Sequence, residues 1–442
     1  LLTGCASYQA HPLPEKSMLA DNLHDLQYSV KKQQEAGLQH AVNPADGLDL
    51  TEVAIIAVLN NPDLQAERTK QKVAGAQLFA AGLLPDPQIS ANLDIPTGTT
   101  NGAVNAWGLG LGYEIIPLIT RQARIDAEQQ AQVQVNLHLL WQEWQVMQQA
   151  RSLAISSTLE LKKLELLRKT RDIYQHRYDN SSRALKAGDI TLDVNGTDLT
   201  ALLDASSQVN QLEQAHNKTR HQINLLLGLA PAVDLRFTLP KKPVLLTRKF
   251  AENNLEILPE RRPDLLALQA GYQSQEAKVR TAVLSQFPSL SIGITRAKDS
   301  GSLYTTGFGI SLNLPLFTGS RGAIAIERAT REQLKLEYQA RLSRARTDVD
   351  RLLELQGIIA EQQARLKKYL PQLRTIVEKT RQAYANSDID ALTFFNMEYT
   401  WILKRVEEID LEQAQWENNL ALQVMLALPE GNGLPSVKSS GN

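Results

Sequence analysis

The chain repeats itself: motifs in its first half recur, in the same order, in its second half. The matched segments are residues 61–64 and 262–265 (NPDL and RPDL), 87–90 and 288–291 (PQIS and PSLS), 108–111 and 307–310 (GLGL and GFGI), and 184–190 and 383–389 (ALKAGDI and AYANSDI). Each motif lies about 200 residues from its partner. A register kept over that length predicts two copies of one structural unit, so both fold and function must accommodate a duplication.

Each copy contains two short segments in which apolar and polar side chains alternate. They span about 87–95 and 106–116 in the first copy, and about 288–296 and 305–315 in the second. A period of two predicts β-strands with one apolar face, and the turn-rich sequence between the members of each pair predicts hairpins. The other face of these strands carries mostly Ser, Gly, Asn, Thr and Gln, which suits contact with water.

A long, polar-rich helical pattern follows each hairpin, over about 121–185 and 321–385. At 1.5 Å per residue each helix would be about 95 Å long, so we expect it to pack along other long helices. The second pattern predicts a coiled-coil seam. Its heptad row is Leu352, Ile359, Leu366 and Leu373, and its companion row is Leu355, Tyr369 and Ile376. Pro371 is expected to kink or break this helix.

Composition argues against several classes of function. Lys and Arg number 47 against 48 Asp and Glu, which leaves no basic footprint for nucleic acid. No stretch approaches the roughly 20 apolar residues of a membrane helix. Cys5 is the only cysteine and the four Met residues form no cluster, so neither a disulfide nor a soft-metal site is expected. The seven His residues are scattered and no catalytic constellation is visible, so we predict neither an enzyme nor a cofactor.

Four amphipathic strands of about nine residues suit the wall of a membrane-spanning β-barrel. Four strands cannot close a barrel, because even the smallest common barrels need about eight. Open strand edges are not tolerated in lipid, so several chains must contribute to one barrel. Three chains would supply about twelve strands, enough to surround a water-filled bore.

At this point the chain resembles the TolC-like outer membrane efflux proteins. The most specific piece is residues 261–265 (RRPDL), a helix start, followed by residues 287–291 (FPSLS), a strand start. The resemblance covers about residues 49–428, and Pro371 within the second long helix is a further shared trait.

The resemblance implies an α+β membrane protein with two tandem repeats of helix, β-hairpin, long helix and helix. Its homotrimer would form a β-barrel of about 12 strands, joined to a long α-helical coiled-coil tunnel in the periplasm. The implied partners are a periplasmic adaptor (a membrane fusion protein) and an inner-membrane pump of the resistance-nodulation-division type, which supplies the energy. The chain itself would be a passive exit duct. The sequence at the start of the first copy resembles the branch of the family that serves heavy-metal exporters. The sequence does not decide whether the cargo is heavy-metal cations or drugs.

Leu1 to Cys5 (LLTGC) resembles a bacterial lipobox, which implies cleavage before Cys5 and acylation of Cys5, including palmitate. Ala6 is not the aspartate that retains lipoproteins in the inner membrane, so the outer membrane is expected. The domains that follow are a signal-peptide remnant (1–4), a lipidated extended arm (5–48), the first repeat (49–231), an inter-repeat equatorial linker (232–260), the second repeat (261–429) and a disordered tail (430–442).

Short polar turns end the two long helices, and they hold the candidates for a periplasmic gate. The second-turn candidates are Asp388, Asp390, Thr393 and Asn396, and the first-turn candidates are Gly188, Asp189 and Asp193, with Asp198 a turn further on. In a trimer such carboxylates would form a ring that attracts cations. The alternative is that they only form turns and cap helices. The family often carries Gly at both turns, whereas the second turn here has Ser387, and the family's usual acidic positions fall near Thr393 and Asn396.

Two further questions are left open by the sequence. The chain could instead be a lipid-anchored periplasmic coiled-coil scaffold or adaptor with a small soluble sheet. Trp107 and Tyr113 are either aromatic residues of a membrane–water interface or ordinary outward-facing strand residues.

Overall fold

The computed structural model describes residues 8–26, 42–97, 102–313 and 319–428. Cys5, the expected signal-peptide remnant 1–4 and the expected tail 430–442 lie outside the described residues.

The described ranges contain nine α-helices and four strands. In chain order they are α1 (Leu50–Asn60), α2 (Pro62–Gly82), β1 (Gln88–Asp94), β2 (Ala106–Glu114), α3 (Ile116–Ala187), α4 (Leu192–Leu226), α5 (Arg248–Glu256), α6 (Leu258–Arg261), α7 (Pro263–Leu284), β3 (Ser289–Lys298), β4 (Tyr304–Asn313), α8 (Gly319–Ala385) and α9 (Ala391–Met425). Helices α3 and α8 have 72 and 67 residues, so straight helices of their length would measure about 100 Å or more.

The chain divides into two compact units. We call them the helical unit (Leu1–Gln65, Glu143–Arg248 and Asp350–Asn442) and the sheet unit (Ala66–Gln142 and Lys249–Val349).

A capping box starts α1 and fixes the entry to the core of the helical unit. The Asp49 carboxylate accepts hydrogen bonds from the backbone N–H groups of Thr51 and Glu52, both at 2.8 Å, and the Glu52 carboxylate accepts one from the Asp49 N–H at 2.8 Å. These contacts satisfy amides that a helix start leaves without partners. The core that α1 enters comprises Leu48, Val53, Ile56, Ala57, Ala150, Ala154, Ile223, Leu227 and Leu229. Burial of each large aliphatic side chain there stabilises the fold by roughly 1.5–3 kcal/mol.

The described part of the arm pairs with the segments 228–230 and 236–238, which follow α4. Ala20 exchanges backbone hydrogen bonds with Gly228 and Ala230, at 2.9 and 2.8 Å. Leu48 does the same with Arg236 and Thr238, both at 2.9 Å. The described part of the arm is therefore tied to the helical unit through its backbone, and it contains two 3-10 turns, Leu23–Asp25 and Pro44–Asp46.

The RRPDL motif forms a buried ionic start to α7 in the sheet unit. Arg262 donates through Nε and Nη2 to the two oxygens of Asp264, at 2.7 and 3.1 Å, and Arg341 Nη1 donates to the same carboxylate at 3.0 Å. Arg262 and Asp264 are both almost fully buried, and the Arg262 guanidinium lies 4.9 Å from the centroid of the Trp141 ring. Paired, hydrogen-bonded charges of this kind are costly to separate once buried.

In the first repeat, the matching helix α2 begins with an uncharged capping residue, Asn61. Asn61 Oδ1 accepts from the Leu64 N–H at 2.9 Å, and Asn61 Nδ2 donates to the Leu226 carbonyl at 3.2 Å. Its Asp63, which matches Asp264 in the second repeat, is exposed.

The two hairpins join into one antiparallel sheet in the sheet unit, with strand order β1-β2-β3-β4. Pairing of β2 with β3 connects the repeats, with Leu111 opposite Ile294. Both hairpin loops lie at one end of the sheet, which we call the loop end, and the helices join at the other. The described strands leave β1 and β4 as outer strands, each with one edge unpaired within the chain.

The strand ends differ from the predicted ones by a few residues. β2 was expected to reach residue 116 but ends at Glu114, because Pro117 lacks the N–H of a ladder and suits the first turn of α3. β3 continues two residues beyond 296, to Lys298, because it stays paired with β4 up to Tyr304. β4 ends at Asn313, and the expected end at 315 lies outside the described residues.

Helix α8 differs from its sequence-based prediction in two ways. It continues through Pro371 without a break, and both Pro371 and Lys367, whose carbonyl loses its helical partner, are exposed to solvent. The heptad row is buried at Leu352 and Ile359, whereas the companion residues Tyr369 and Ile376 are about half exposed. The heptad row and the companion row of α8 are therefore not buried together against the described part of the chain.

Helices α3 and α8 end in the same backbone turn. At the first, the N–H groups of Gly188 and Asp189 donate to the carbonyls of Leu185 and Ala184. At the second, Ser387 and Asp388 donate in the same way to Tyr384 and Ala383. This is the Schellman pattern, whose first residue beyond the helix is left-handed. Gly188 has φ +83° and Ser387 has φ +64°, so the serine adopts the conformation that glycine usually supplies.

The buried ionic start predicts unequal effects of one substitution in the two repeats. Asp264→Ala leaves the Arg262 guanidinium buried without its carboxylate and should cost about 3–5 kcal/mol. Asp63→Ala, at the matching exposed position, should cost under about 0.5 kcal/mol. Hydrogen exchange of the first amides of α7 and α2 measures both effects. Equal protection losses in the two variants would contradict this account of the motif.

The first turn predicts opposite signs for one substitution at two glycines. A Cβ at Gly188 or at Gly196 meets no atom within 4 Å, so only the backbone differs. Gly188→Ala forces an alanine into the left-handed region and should destabilise the turn by about 1–2 kcal/mol. Gly196→Ala, within α4, should stabilise that helix by about 0.5–1 kcal/mol. Exchange rates of the amides of residues 184–200 report both, and the same sign for both would rule out the strain argument.

Candidate functional site

The sheet presents an unbroken face of mainly apolar side chains, which we call the apolar face. From β1 to β4 it consists of Ile89, Ala91, Leu93, Trp107, Leu109, Leu111, Tyr113, Leu290, Ile292, Ile294, Arg296, Lys298, Tyr304, Thr306, Phe308, Ile310 and Leu312. One row crosses all four strands through Ile89, Leu111, Ile294 and Phe308.

None of the described residues covers this face. Ile89, Ile310 and Phe308 are 80%, 72% and 87% exposed. A soluble protein rarely leaves so large a contiguous apolar patch in water, so the face marks contact with lipid or with another apolar surface.

The opposite face, which we call the polar face, carries mostly small and uncharged side chains. It consists of Gln88, Ser90, Asn92, Asp94, Ala106, Gly108, Gly110, Gly112, Glu114, Ser289, Ser291, Gly293, Thr295, Ala297, Thr305, Gly307, Gly309, Ser311 and Asn313. A Cβ at Gly110 would lie 2.5 Å from Ser90 Oγ, whereas a Cβ at Gly309 meets no atom within 4 Å. Gly309 is thus the better position for introducing a side chain on this face.

Two cations continue the register of the apolar face at its loop end. Arg296 pairs across the sheet with Leu109, and Lys298 pairs with Trp107 and Tyr304. Sequence reasoning did not single out these cations, although extending the alternation of β3 by two steps places them on this face. Trp107 and Tyr113, both considered as interface residues, lie on the apolar face toward opposite ends of the sheet.

The helical unit holds the second set of candidates, the turns that end α3 and α8. Asp390 caps α9: its carboxylate accepts from the Thr393 N–H at 2.8 Å and from the Thr393 hydroxyl at 2.9 Å. The hydrogen bonds from Thr393 hold the pKa of Asp390 below its ordinary value. Asp390 and Thr393 therefore serve a local capping role, and the exposed Asn396 lies further along α9.

The remaining acidic candidates separate into exposed and buried groups. Asp189 and Asp388 are exposed at matching positions of the two turns. A hydrogen bond from the Thr191 side chain is the main cause that lowers the pKa of Asp193. Asp198 is buried, and its Oδ1 lies 2.5 Å from Arg177 Nη2. Asp198 is thus part of an internal ion pair and does not face the turn.

Aromatic contacts join the two repeats in the helical unit, close to the turns. The rings of Tyr174 on α3 and Tyr399 on α9 meet edge to face at 5.6 Å, and Gln208 on α4 donates to the Tyr399 hydroxyl at 3.1 Å. Burial raises the pKa of Tyr174 to about 12. The Arg177 guanidinium also lies 5.6 Å from the Phe395 ring, so one cation contacts both a carboxylate and an aromatic ring.

The described residues contain neither a metal-binding cluster nor a membrane-spanning helix. No group of three or more His, Cys, Asp or Glu side chains there is arranged to hold a metal ion. Among the described helices, none combines the length and the apolar character needed to span a membrane.

Comparison with known proteins finds a family model that matches part of the chain. Residues 255–428 match the family model described as outer membrane efflux protein. This segment contains the RRPDL and FPSLS motifs. No curated protein matches the chain significantly.

Solved structures match nearly the whole chain. The channel protein CusC, crystallised in a study of folding and transmembrane channel formation, is 18% identical with a TM-score of 0.69, covering 96% of this chain and 99% of that one. The Campylobacter jejuni CmeC outer membrane channel is 15% identical with a TM-score of 0.71, covering 95% and 94%. The open state of the Neisseria gonorrhoeae MtrE outer membrane channel is 15% identical with a TM-score of 0.67, covering 96% and 98%.

At these identities the structural matches establish the fold, and the relatives are channels rather than enzymes. Residues 255–428 are therefore similar to the outer membrane efflux protein family, and the fold of the chain is that of the matched channel structures.

Proposed function

We propose that this protein is the outer-membrane exit duct of a tripartite efflux pump. The observation that carries the proposal is the sheet, which has one continuous exposed apolar face, one largely uncharged polar face and two edges that no other described strand pairs with. Hydrocarbon matches the first face and a water-filled bore matches the second. The family match to efflux proteins agrees with this assignment.

Unpaired edges make the proposed assembly a homotrimer. Each backbone group left without a partner in hydrocarbon costs several kcal/mol, so β1 and β4 need partners from other copies. Three copies give a closed barrel of about 12 strands.

Helix α8 offers a second surface for the same assembly. A groove of about 850 Å³ lies between α8 and α9, lined by Leu366, Tyr369, Leu373 and Ile376 together with α9 residues such as Leu411. Tyr369 and Ile376 are half exposed in the single chain. A long helix of a second copy would cover this row, as in a coiled-coil tunnel.

The cargo and partners belong to the same proposal. A passive duct requires a periplasmic adaptor and an energised inner-membrane pump, here of the resistance-nodulation-division type. The cargo would be heavy-metal cations or drugs, and weak contacts with the wall would let it leave. Acylation of Cys5 would add a lipid anchor to the barrel at the outer membrane, and the lipobox-like sequence supports this part.

The two faces of β4 provide the test. Ile310→Arg places a charge in the proposed lipid face and should cost about 2–4 kcal/mol of insertion free energy. Gly309→Arg, at the neighbouring residue on the proposed bore side, should insert and alter conductance. Both are made with Cys5→Ser, so that a lipid anchor cannot hold an uninserted chain at the membrane, and insertion is scored by resistance to extraction without detergent.

The Cys5→Ser parent separates the duct from the alternative scaffold. It should remain in the membrane and purify in mild detergent as a trimer. Extraction without detergent, or a folded monomer in mild detergent, would favour the lipid-anchored scaffold. An equal response to Ile310→Arg and Gly309→Arg would show that the faces are assigned wrongly.

We further propose that the acidic turns influence which ions pass. Asp388 and Asp189 are exposed carboxylates, and their copies in a trimer would concentrate negative charge at the narrow end of the tunnel. Asp390 would add charge while capping α9.

Conductance of the reconstituted trimer tests this second proposal. Asp388→Asn with Asp390→Ser removes both charges, and Ser retains a capping oxygen. The double variant should show weaker cation selectivity and weaker block by multivalent cations. Asp204→Asn, an exposed site within α4, is the control and should change neither. Unchanged selectivity and block in the double variant would leave these residues as turn and cap formers only.

A further inference from the structure

Two cations on the apolar face have no carboxylate to pair with on that face. Arg296 and Lys298 lie in register with Leu109 and Trp107, and every other described side chain of the face is neutral. Additional copies of the chain would add the same face, so a trimer supplies no carboxylate there either. If the face contacts lipid, as the proposed function requires, these charges must be neutralised by something other than the strands.

The described acidic residues at the loop end of the sheet, Asp94 and Asp299, lie on the other face or accept hydrogen bonds within a loop. Asp94 belongs to the polar face, where it is in register with Ala106. Asp299, in the β3–β4 loop, accepts from the N–H groups of Gly301 and Leu303, both at 2.9 Å. Residues 98–101 of the other loop contain no acidic side chain.

Tyr304 gathers the two cations at one place. The Arg296 guanidinium carbon lies 5.7 Å and Lys298 Nζ lies 5.8 Å from the Tyr304 ring centroid. Arg296 Nη1 also donates to the Thr306 hydroxyl at 2.5 Å, and Trp107 meets Tyr304 edge to face at 6.3 Å. Cation–π contacts therefore hold both charges beside a pair of amphipathic rings, with N–H groups left to donate.

The position along the strand selects the ligand. From Leu290 to Lys298 is eight residues, or roughly 27 Å along the strand and about 20 Å along the normal of a tilted barrel. That distance is close to the height of the lipid-facing band, so the cluster falls at the level of the headgroups at the loop end. Trp and Tyr are favoured at that level, and Arg and Lys direct their charged ends toward it.

We propose that Arg296, Lys298 and Tyr304, flanked by Trp107, bind the phosphate group of an anionic lipid in the leaflet at the loop end of the sheet. The guanidinium and the ammonium donate charge-assisted hydrogen bonds to phosphate oxygens. Neighbouring apolar side chains contact the acyl chains. In a bacterial outer membrane that leaflet carries phosphorylated glycolipid, so lipid A is the appropriate probe.

The test compares lipid binding by detergent-purified full-length protein and two double variants. Arg296→Gln with Lys298→Gln removes the cluster's charges, and Lys278→Gln with Arg280→Gln removes the same two residue types, at the same spacing, from an exposed stretch of α7. Native mass spectrometry measures the apparent Kd for diphosphoryl lipid A. The cluster variant should bind roughly 10- to 50-fold more weakly than wild type, and the α7 variant should bind as wild type does.

Further arms identify the chemistry recognised. Removal of the phosphates from lipid A should weaken its binding to wild type. The loss of affinity should equal the loss that the cluster variant shows for diphosphoryl lipid A. Millimolar inorganic phosphate should not displace the lipid. The charge-preserving exchange Arg296→Lys with Lys298→Arg should retain most of the affinity, which separates lost charge from lost folding. Equal affinity of wild type and the cluster variant, or equal binding of both forms of lipid A, would overturn the proposal.

Insertion and conductance are measured on the same preparations, because the inference rests on the proposed function. If wild type neither inserts nor conducts, the proposed function fails and the lipid site fails with it. If wild type inserts and conducts while the cluster variant binds lipid A unchanged, only the lipid site fails.

Discussion

Unpaired backbone at the edges of a four-stranded sheet is the constraint on which the rest of the structure depends. β1 and β4 each have one edge whose N–H and C=O groups are not paired with any other described strand. Water would satisfy those groups, but the exposed apolar face makes water a poor environment for the same strands. Hydrocarbon suits the face and penalises the edges. Only pairing with other copies satisfies both requirements, and the proposed trimer follows from that conflict.

The two halves of the chain that share sequence motifs form matching helix starts and turns with different side chains. Helix α2 starts with the neutral cap of Asn61, whereas α7 starts with the buried pair of Arg262 and Asp264. The turn after α3 uses Gly188, and the matching turn after α8 places Ser387 in the same left-handed region.

Much of this architecture was predictable, because periodicity reports directly on which face is apolar. The alternation of β1 to β4 predicted the strands, and RRPDL with FPSLS led to the efflux family that residues 255–428 match. Tertiary contacts were not predictable in the same way. Asp198 looked like a turn residue until Arg177 was found beside it, since a partner 21 positions away leaves no periodic signal. Pro371 does not interrupt α8, because the missing hydrogen bond falls where solvent can replace it.

The apolar face also shows why pattern alone understates chemistry. An alternation argument groups residues as apolar or polar, so it stops at Arg296, where the expected apolar residue is replaced by a cation. The backbone register does not stop there, since β3 remains paired with both neighbours as far as Lys298. A side chain is assigned to a face by register and not by its hydropathy. Once Arg296 and Lys298 are assigned to the apolar face, the face has a charged end and an uncharged end. That asymmetry would fix the depth of the sheet in a bilayer. Moving the cations toward the hydrocarbon centre costs far more free energy than moving apolar side chains by the same distance within the hydrocarbon.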